Sequence, residues 1–418
     1  MRLAQKRVYQ RFQTLCHSRV RRDYMTTIKE SLRDFCAHQR IINTHCHHLP
    51  QPQQEASLAW VLKNAYVSWK GISYDENRDA YIRRLSGTSY YYWLAKGLSA
   101  CCGIFELLNE HNSAHYDARI AEILSNPAAD LKLMRDACGY DRVILDAYWN
   151  PGGDNGCPAL FAPAYRINMF LFGYHQAARD HNGNNPYQCR AFEMPDSIEE
   201  YVARMEKEIE ARKRSGCVAL NCAAAYDRGL DFGPADLTAA RTAYGKETAS
   251  ACEIKAFQDF IFDQLCGISA KLHLPMQIHT GLGLGARTNA AQLLNMVCRH
   301  PDTTFSLMHG SYPWTDDLLM LVHNHQNIVV DLCWLPLLSP AVCERFLGEL
   351  IDVCDMDRIT WGCDTWHSFE SYGAVLAVRE VLSASFAKLV RQGRISESYA
   401  RLYLSHILHD NAAVLYGL

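Results

Sequence analysis

From about residue 141 the chain alternates short, continuously apolar runs with longer stretches whose apolar residues recur at three- and four-residue spacing. The runs are Arg142–Tyr148, Tyr165–Phe170, Cys217–Asn221, Pro275–His279, Thr303–His309, Ile328–Asp331 and Arg358–Asp364, with an isolated earlier one at about 40–45. Strands that are apolar throughout belong to parallel sheets covered on both faces, and the stretches between them read as helices. Ser197–Arg214 is the clearest: Ser197 and Glu200 fit a capping box, Ile198, Val202, Met205 and Ile209 form a stripe, and Gly216 is a stop. Strands and helices in this order predict an α/β fold, a (β/α)8 barrel of the TIM type.

Two helical segments lie outside that alternation. Residues 1–38 read as an N-terminal helical segment with Ile28, Leu32 and Phe35 on one stripe, and residues 49–140 as a mostly helical insertion after the first strand. No repeat, low-complexity tract or Pro/Gly-rich linker interrupts the pattern, so residues 1–418 are expected to form a single domain. A net charge of −3 gives no field for nucleic acid, and no run of 18 apolar residues is present to span a membrane. The 17 cysteines lack zinc-ribbon or Cys-x-x-Cys spacing and fall partly inside strand runs, as buried thiols do in a reducing compartment. The first 22 residues are basic, like a transit peptide, yet Val8, Phe12 and Leu15 at helical spacing suit a basic surface helix. A cytoplasmic location is the expectation, and nothing excludes a homo-oligomer.

Candidate chemistry sits at the ends of the apolar runs. His45 and His47 are one residue apart at the end of the first strand, so both side chains share one face. With 18 His in the chain, about 0.8 His-x-His pairs are expected by chance, and His323-Asn324-His325, read as helix surface, is one. The first pair gains weight because later runs end in His279, His309 and Asp364. Imidazole and carboxylate groups at separate barrel strand ends suit a divalent transition metal.

These pieces resemble the amidohydrolase superfamily, in particular its amidohydrolase-2 (amidohydrolase-related) branch. The matching motifs are Asn43-Thr44-His45-Cys46-His47, Gln277-Ile278-His279-Thr280-Gly281, Leu307-Met308-His309-Gly310, Gly362-Cys363-Asp364-Thr365 and the closing Asn411-Ala412 with Leu415-Tyr416-Gly417. The resemblance implies that His45, His47, His279 and Asp364 hold a metal, that His309 is catalytic or ligates a second metal, and that Asp364 also moves a proton. Many such relatives carry a bridging lysine at the end of strand four, where this chain places Asn221, with Lys213 and Cys222 as outside alternatives. A neutral amide does little to offset the repulsion of two cations, so one divalent ion is expected: zinc first, with manganese or iron also compatible.

Arg166, a charge within the third run, is expected either to bind a substrate carboxylate through its fork or to pair internally, with Asp146 a candidate. Tyr226 and Arg228 after strand four, and Trp366, His367 and Glu370 after Asp364, are candidate pocket walls. His48 points to the opposite strand face, and Asp331 is expected to accept from a metal-bound histidine. The leading expectation is a metal-dependent hydrolase acting on an amide, ester or lactone bond of a small polar, carboxylate-bearing molecule. The rivals are a non-oxidative decarboxylase like aminocarboxymuconate semialdehyde decarboxylase, a uronate isomerase-like enzyme, and an inactive barrel serving as a binding scaffold.

Overall fold

A computed structural model describes residues 27–418 except 71–73, 75–76, 127 and 190. The basic N-terminal stretch lies outside the described residues, and the described part of the N-terminal segment is helical over 27–38. Eight parallel strands run in sequence order: β1 (Ile41–Cys46), β2 (Tyr140–Leu145), β3 (Phe161–Arg166), β4 (Ala219–Cys222), β5 (Met276–His279), β6 (Phe305–Met308), β7 (Ile328–Asp331) and β8 (Ile359–Thr360). Each pairs with the next. Between β8 and β1 the barrel is drawn together by two backbone bonds, Thr44 N to Trp361 O at 3.3 Å and Asp364 N to His45 O at 2.9 Å. The TIM-type (β/α)8 expectation is met.

β3 and one helix cap differ from the sequence reading. β3 ends at Arg166, and the apolar run beyond it forms a 3-10 helix, Asn168–Phe172. Pro163 has no N–H to give the sheet, but its carbonyl accepts from Val218 N at 3.0 Å. Arg166 therefore stands at the strand's end, where barrel enzymes keep their sites. The Ser197 cap forms, its Oγ accepting from Glu200 N at 3.2 Å, but the capping box does not close. The Glu200 carboxylate is engaged by Arg204, one turn on, at 2.6 and 3.1 Å. The complete box is at Ser250 and Glu253.

The far end of the barrel is plugged by the C-terminal helix Asn411–Tyr416. Ala412 and Tyr416 pack against Ile42, Ile144, Ala164 and Ala219, and Asn411 Nδ2 donates to the carbonyls of Met356 and Ile359, both at 2.8 Å. Inside the barrel, Gln277 donates to Thr44 O at 2.7 Å and to the Tyr416 hydroxyl at 3.1 Å, so this buried amide is satisfied.

Between β1 and β2 the insertion is helical, as expected, and is seated on the barrel by close backbone contact. Helix Ser89–Cys102 packs on the long helix Ser368–Arg391 that follows β8. A Cβ on Gly97 would lie 2.5 Å from Phe369 O, and one on Gly373 would lie 2.5 Å from Trp93 O. Two backbones this close leave no room for a methyl group. Gly97→Ala should therefore destabilise the protein by roughly 1–3 kcal/mol, despite the higher helix propensity of alanine. Denaturant titration of wild type and variant measures it; a neutral or stabilising result would show that the two helices can separate freely.

Candidate active site

His45 and His47 leave the end of β1 on the same side, their Nε2 atoms 3.3 Å apart. Cys46 between them points away, its thiol donating to Thr365 O at 3.3 Å. Asp364, just past β8, brings Oδ1 to 3.3 Å from His47 Nε2 and 3.6 Å from His45 Nε2. His279 closes β5, and His309 follows β6. The backbone at His309 (φ +67°), Trp334 (φ +65°) and Asp364 (φ +54°) is left-handed. Non-glycine residues enter that region at a cost of order 1–3 kcal/mol each, and such strain gathers where side-chain aim matters.

Hydrogen bonds fix where the imidazole lone pairs point. His47 Nδ1 lies 2.9 Å from the Asp146 carbonyl, an acceptor only, so Nδ1 carries the proton. By the same logic His309 Nδ1 donates to Cys333 O at 3.2 Å, and its Nε2 accepts from His279 Nδ1 at 2.8 Å. The chain ends at His279 Nε2, which is buried without a hydrogen-bond partner, as is Asp364 Oδ1. Burial pushes the His45 imidazole down to about 3, with Asp364 opposing, and lowers His279 and His309 as well. His47 is raised: burial opposes, but the Asp364 carboxylate outweighs it. Burial also works against the Asp364 carboxylate, yet His47 and its neighbours hold it well below the usual range.

This donor set fits a divalent cation. One donor atom each from His45, His47 and Asp364 lies within 4.8 Å of the others, and a cation there would replace the proton that Asp364 now favours on His47. His279 stands outside that tightest trio, but lines the same cavity. His309, Cys333 and Asp364 form a second close group. Asn221 occupies the strand-four position, its Nδ2 3.1 Å from Gln277 Oε1 and 3.5 Å from His45 Nδ1. Lys213 is exposed and donates to the Leu272 carbonyl, away from the cavity, and Cys222 is not among the cavity's lining residues.

The cavity, about 220 Å³, is lined by all five of these His and Asp residues together with Arg166, Tyr226 and Trp366. Arg166 pairs internally, with the partner that its charge led us to expect. Nη2 pairs with Asp146 Oδ2 at 2.7 Å and Nε donates to Asp146 Oδ1 at 3.2 Å, while Nη1 is buried and unpartnered in the cavity wall. Trp366 stacks on His47 at 5.3 Å, and the Tyr226 ring lies 4.5 Å from that of His279.

Four expected placements are corrected. Arg228 does not line the cavity; its guanidinium pairs with Asp259 at 2.8 Å and covers the Phe232 ring at 4.2 Å, because a buried guanidinium needs both a counter-charge and a packing surface. Asp331 accepts from Thr44 Oγ1 at 2.6 Å and Cys333 N at 2.9 Å, so it braces the loop and β1 rather than a histidine. His367 and Glu370 do not line the cavity. His367 Nε2 lies 3.0 Å from Val61 O, and Glu370 accepts from Tyr66 N at 2.8 Å and Trp366 N at 3.3 Å. His48 does point away, to Asp130 of the insertion at 2.6 Å.

The sequence reading missed Tyr66, Asp146, Tyr148, His181 and Asn182 as wall residues. Tyr66 comes from the insertion, where no strand end marks it; its ring stacks on Trp334 at 4.7 Å and meets Trp366 edge-on at 4.9 Å. His181 and Asn182 lie in the turn-rich run Asp180-His181-Asn182-Gly183-Asn184. Ending β3 at Pro163-Ala-Tyr-Arg166 would have marked that run as an active-site loop.

Residues 170–418 match the sequence profile of the amidohydrolase family, and the chain belongs to that family. The matched stretch contains His279, His309 and Asp364, while His45, His47 and the insertion precede it. The chain is 28% identical over 213 residues to protein fluG of Emericella nidulans; the alignment covers 46% of this chain and 25% of that protein, so the chain spans about a quarter of that relative's length. Uronate isomerase from Thermotoga maritima superposes with a TM-score of 0.74 at 17% identity, covering 93% of this chain and 97% of that one. Glucuronate isomerase from Caulobacter crescentus gives 0.73 at 16%, with 94% of each chain covered. A Lactobacillus casei protein assigned as a metal-dependent hydrolase gives 0.68 at 15%, covering 92% and 97%. At these identities the likeness is one of fold.

Burial raises the Glu370 carboxyl from 4.5 to about 8, although the Tyr66 and Trp366 N–H groups favour the charged form. The folded state therefore holds a proton that the unfolded chain has lost across that interval, and stability should fall as pH rises through it. Glu370→Gln should flatten this decline and leave the variant's melting temperature at pH 8 no lower than that of wild type. Melting curves from pH 5 to 8 measure it; an unchanged slope would mean that Glu370 is charged in the fold.

Proposed function

We propose that this member of the amidohydrolase family is a hydrolase that uses one divalent cation, zinc first and manganese or iron as alternatives, to cleave an amide, ester or lactone bond in a small carboxylate-bearing substrate. The observation that carries the reading is the convergence of His45 Nε2, His47 Nε2 and Asp364 Oδ1, with His279 Nε2 unpartnered in the same cavity. Asn221 supports a single ion, since the strand-four position offers no charge to bridge two. A bound cation would supply Lewis acidity and bring the pKa of a water towards about 7.

The chain's own groups divide the remaining work. Asp364 takes the proton of the attacking water, being buried, ionised and next to the ligand pair. His309 orients His279 through its 2.8 Å hydrogen bond and is a positioning residue. Arg166 offers a substrate carboxylate the two N–H groups of Nη1, because Nε and Nη2 are engaged by Asp146. Tyr66 and Trp366 wall the cavity and limit water entry. Isomerisation of a sugar acid is the second reading. It is favoured by the solved isomerases, whose likeness extends over 93–94% of this chain and so takes in most of the insertion.

Substrate panels run with metal-replete protein in ¹⁸O-labelled water separate the readings. Hydrolysis places solvent oxygen in a product. Isomerisation gives a product of unchanged composition, and decarboxylation releases carbon dioxide; either would displace the hydrolytic reading. Asp364→Asn should lower turnover by about 10²–10⁴-fold, since the amide is no base. His47→Ala should purify folded but metal-poor and inactive, because one local site does not carry the stability of a barrel this large. Wild-type turnover by a metal-free His47→Ala would remove the pair from the reaction.

A further inference from the structure

We propose that His181, clamped by Asp227, is the acid that protonates the leaving atom, a role that rests on the hydrolytic reading. His181 lies in the loop after β3 and lines the cavity with its side chain 25% exposed at the mouth. Two bonds to one carboxylate fix it: its backbone N–H donates to Asp227 Oδ1 at 2.7 Å, and Nδ1 lies 2.9 Å from Oδ2. Asp227 is itself held, its side chain 6% exposed and its Oδ2 3.3 Å from Asn168 Nδ2. The loop is internally bonded: Asp180 Oδ1 accepts from Asn182 N at 2.9 Å and Asn184 N at 2.8 Å, and Asn185 Nδ2 donates to the carbonyls of Phe172, His175 and Ala178.

A carboxylate that takes Nδ1–H leaves Nε2 as the nitrogen free to exchange a proton with the cavity. The His181 ring stands 5.1 Å from Tyr226, which in turn stands 4.5 Å from His279. His181 and His279 thus touch the same Tyr226 ring within one cavity, and His181 is the more exposed of the two. The ionisable groups around it are Asp227, Asp180, Tyr226 and, through Asp180, Arg166. One acid–base group at the metal and a second across the cavity let water lose a proton while the leaving atom gains one, work that a single group must otherwise do in turn.

The step balances. Water oxygen forms the new carbon–oxygen bond and its proton passes to Asp364. The old bond to the leaving oxygen or nitrogen breaks, and that atom takes the proton from His181 Nε2. Solvent at the mouth then reprotonates His181 and accepts the proton from Asp364, leaving acid and alcohol or amine.

Monoesters of succinic acid with methoxide and 4-nitrophenolate leaving groups test the role on the metal-replete full chain. Nitrophenolate leaves without a proton and methoxide does not, so His181→Gln should lose about 100-fold in kcat/KM on the methyl ester but only a few-fold on the nitrophenyl ester. Asp227→Asn should show the same leaving-group bias, more weakly, and added imidazole should restore His181→Ala on the methyl ester. Equal losses on both esters, or none, with wild type active, would overturn the role of His181 and leave the hydrolytic reading standing. A wild type that turns over neither these esters nor any amide, ester or lactone of the ¹⁸O-water panels overturns both. Independently of turnover, ¹⁵N-histidine NMR should find Nδ1 of His181 protonated in wild type and not uniquely so in Asp227→Asn; a neutral Nε2–H tautomer in wild type would overturn the proposal.

Discussion

The backbone bond from Asp364 N to His45 O, 2.9 Å long, is the contact on which the site depends. It joins the last strand to the first, and in doing so sets the carboxylate beside the two imidazoles. The seam tolerates little: a Cβ at Gly362 would lie 2.7 Å from both His45 N and Thr44 Oγ1. Cys363 N donates to Asn43 Oδ1 at 2.9 Å across the same seam. Closing the barrel and assembling the ligand trio are thus one event, and the left-handed backbone at Asp364 is the local cost of aiming its side chain inward.

The insertion is tied to this seam from above. Asp130 pairs with His48, the residue after the ligand pair, and Gln54 donates to Asp130 at 3.0 Å and to Leu49 O at 2.9 Å. Glu370 gathers the backbone of Tyr66 from the insertion and of Trp366 from the loop after β8. Tyr66, Trp334 and Trp366 then form one aromatic layer against His47. A roof bound through the residues that flank the ligands couples access to the cavity with ligand geometry.

Much of this was legible in the sequence because period-two and period-3.6 patterns report burial directly. Strand ends bearing His45, His47, His279, His309 and Asp364 could be listed, and all five line one cavity. Roles set by long-range pairing were legible only in part. Arg228 reads as a pocket residue until Asp259 and Phe232 are seen beside it, whereas the Arg166–Asp146 pair could be anticipated, because a guanidinium buried in a strand run needs a counter-charge nearby. β3 was misplaced because a buried 3-10 turn and a buried strand have the same apolar composition, and that shift hid His181. Tyr66 had no signal, since an insertion residue reaches the cavity only through tertiary packing.

The central claim is that one divalent ion sits among three imidazoles and one carboxylate. X-ray absorption at the metal edge of the loaded protein, in parallel with elemental analysis, tests it most directly. One ion per chain is expected, surrounded by nitrogen and oxygen alone at about 2.0–2.2 Å and with an imidazole signature from three histidines. A sulfur shell near 2.3 Å would place the ion at Cys333 with His309 and Asp364, and would contradict the account.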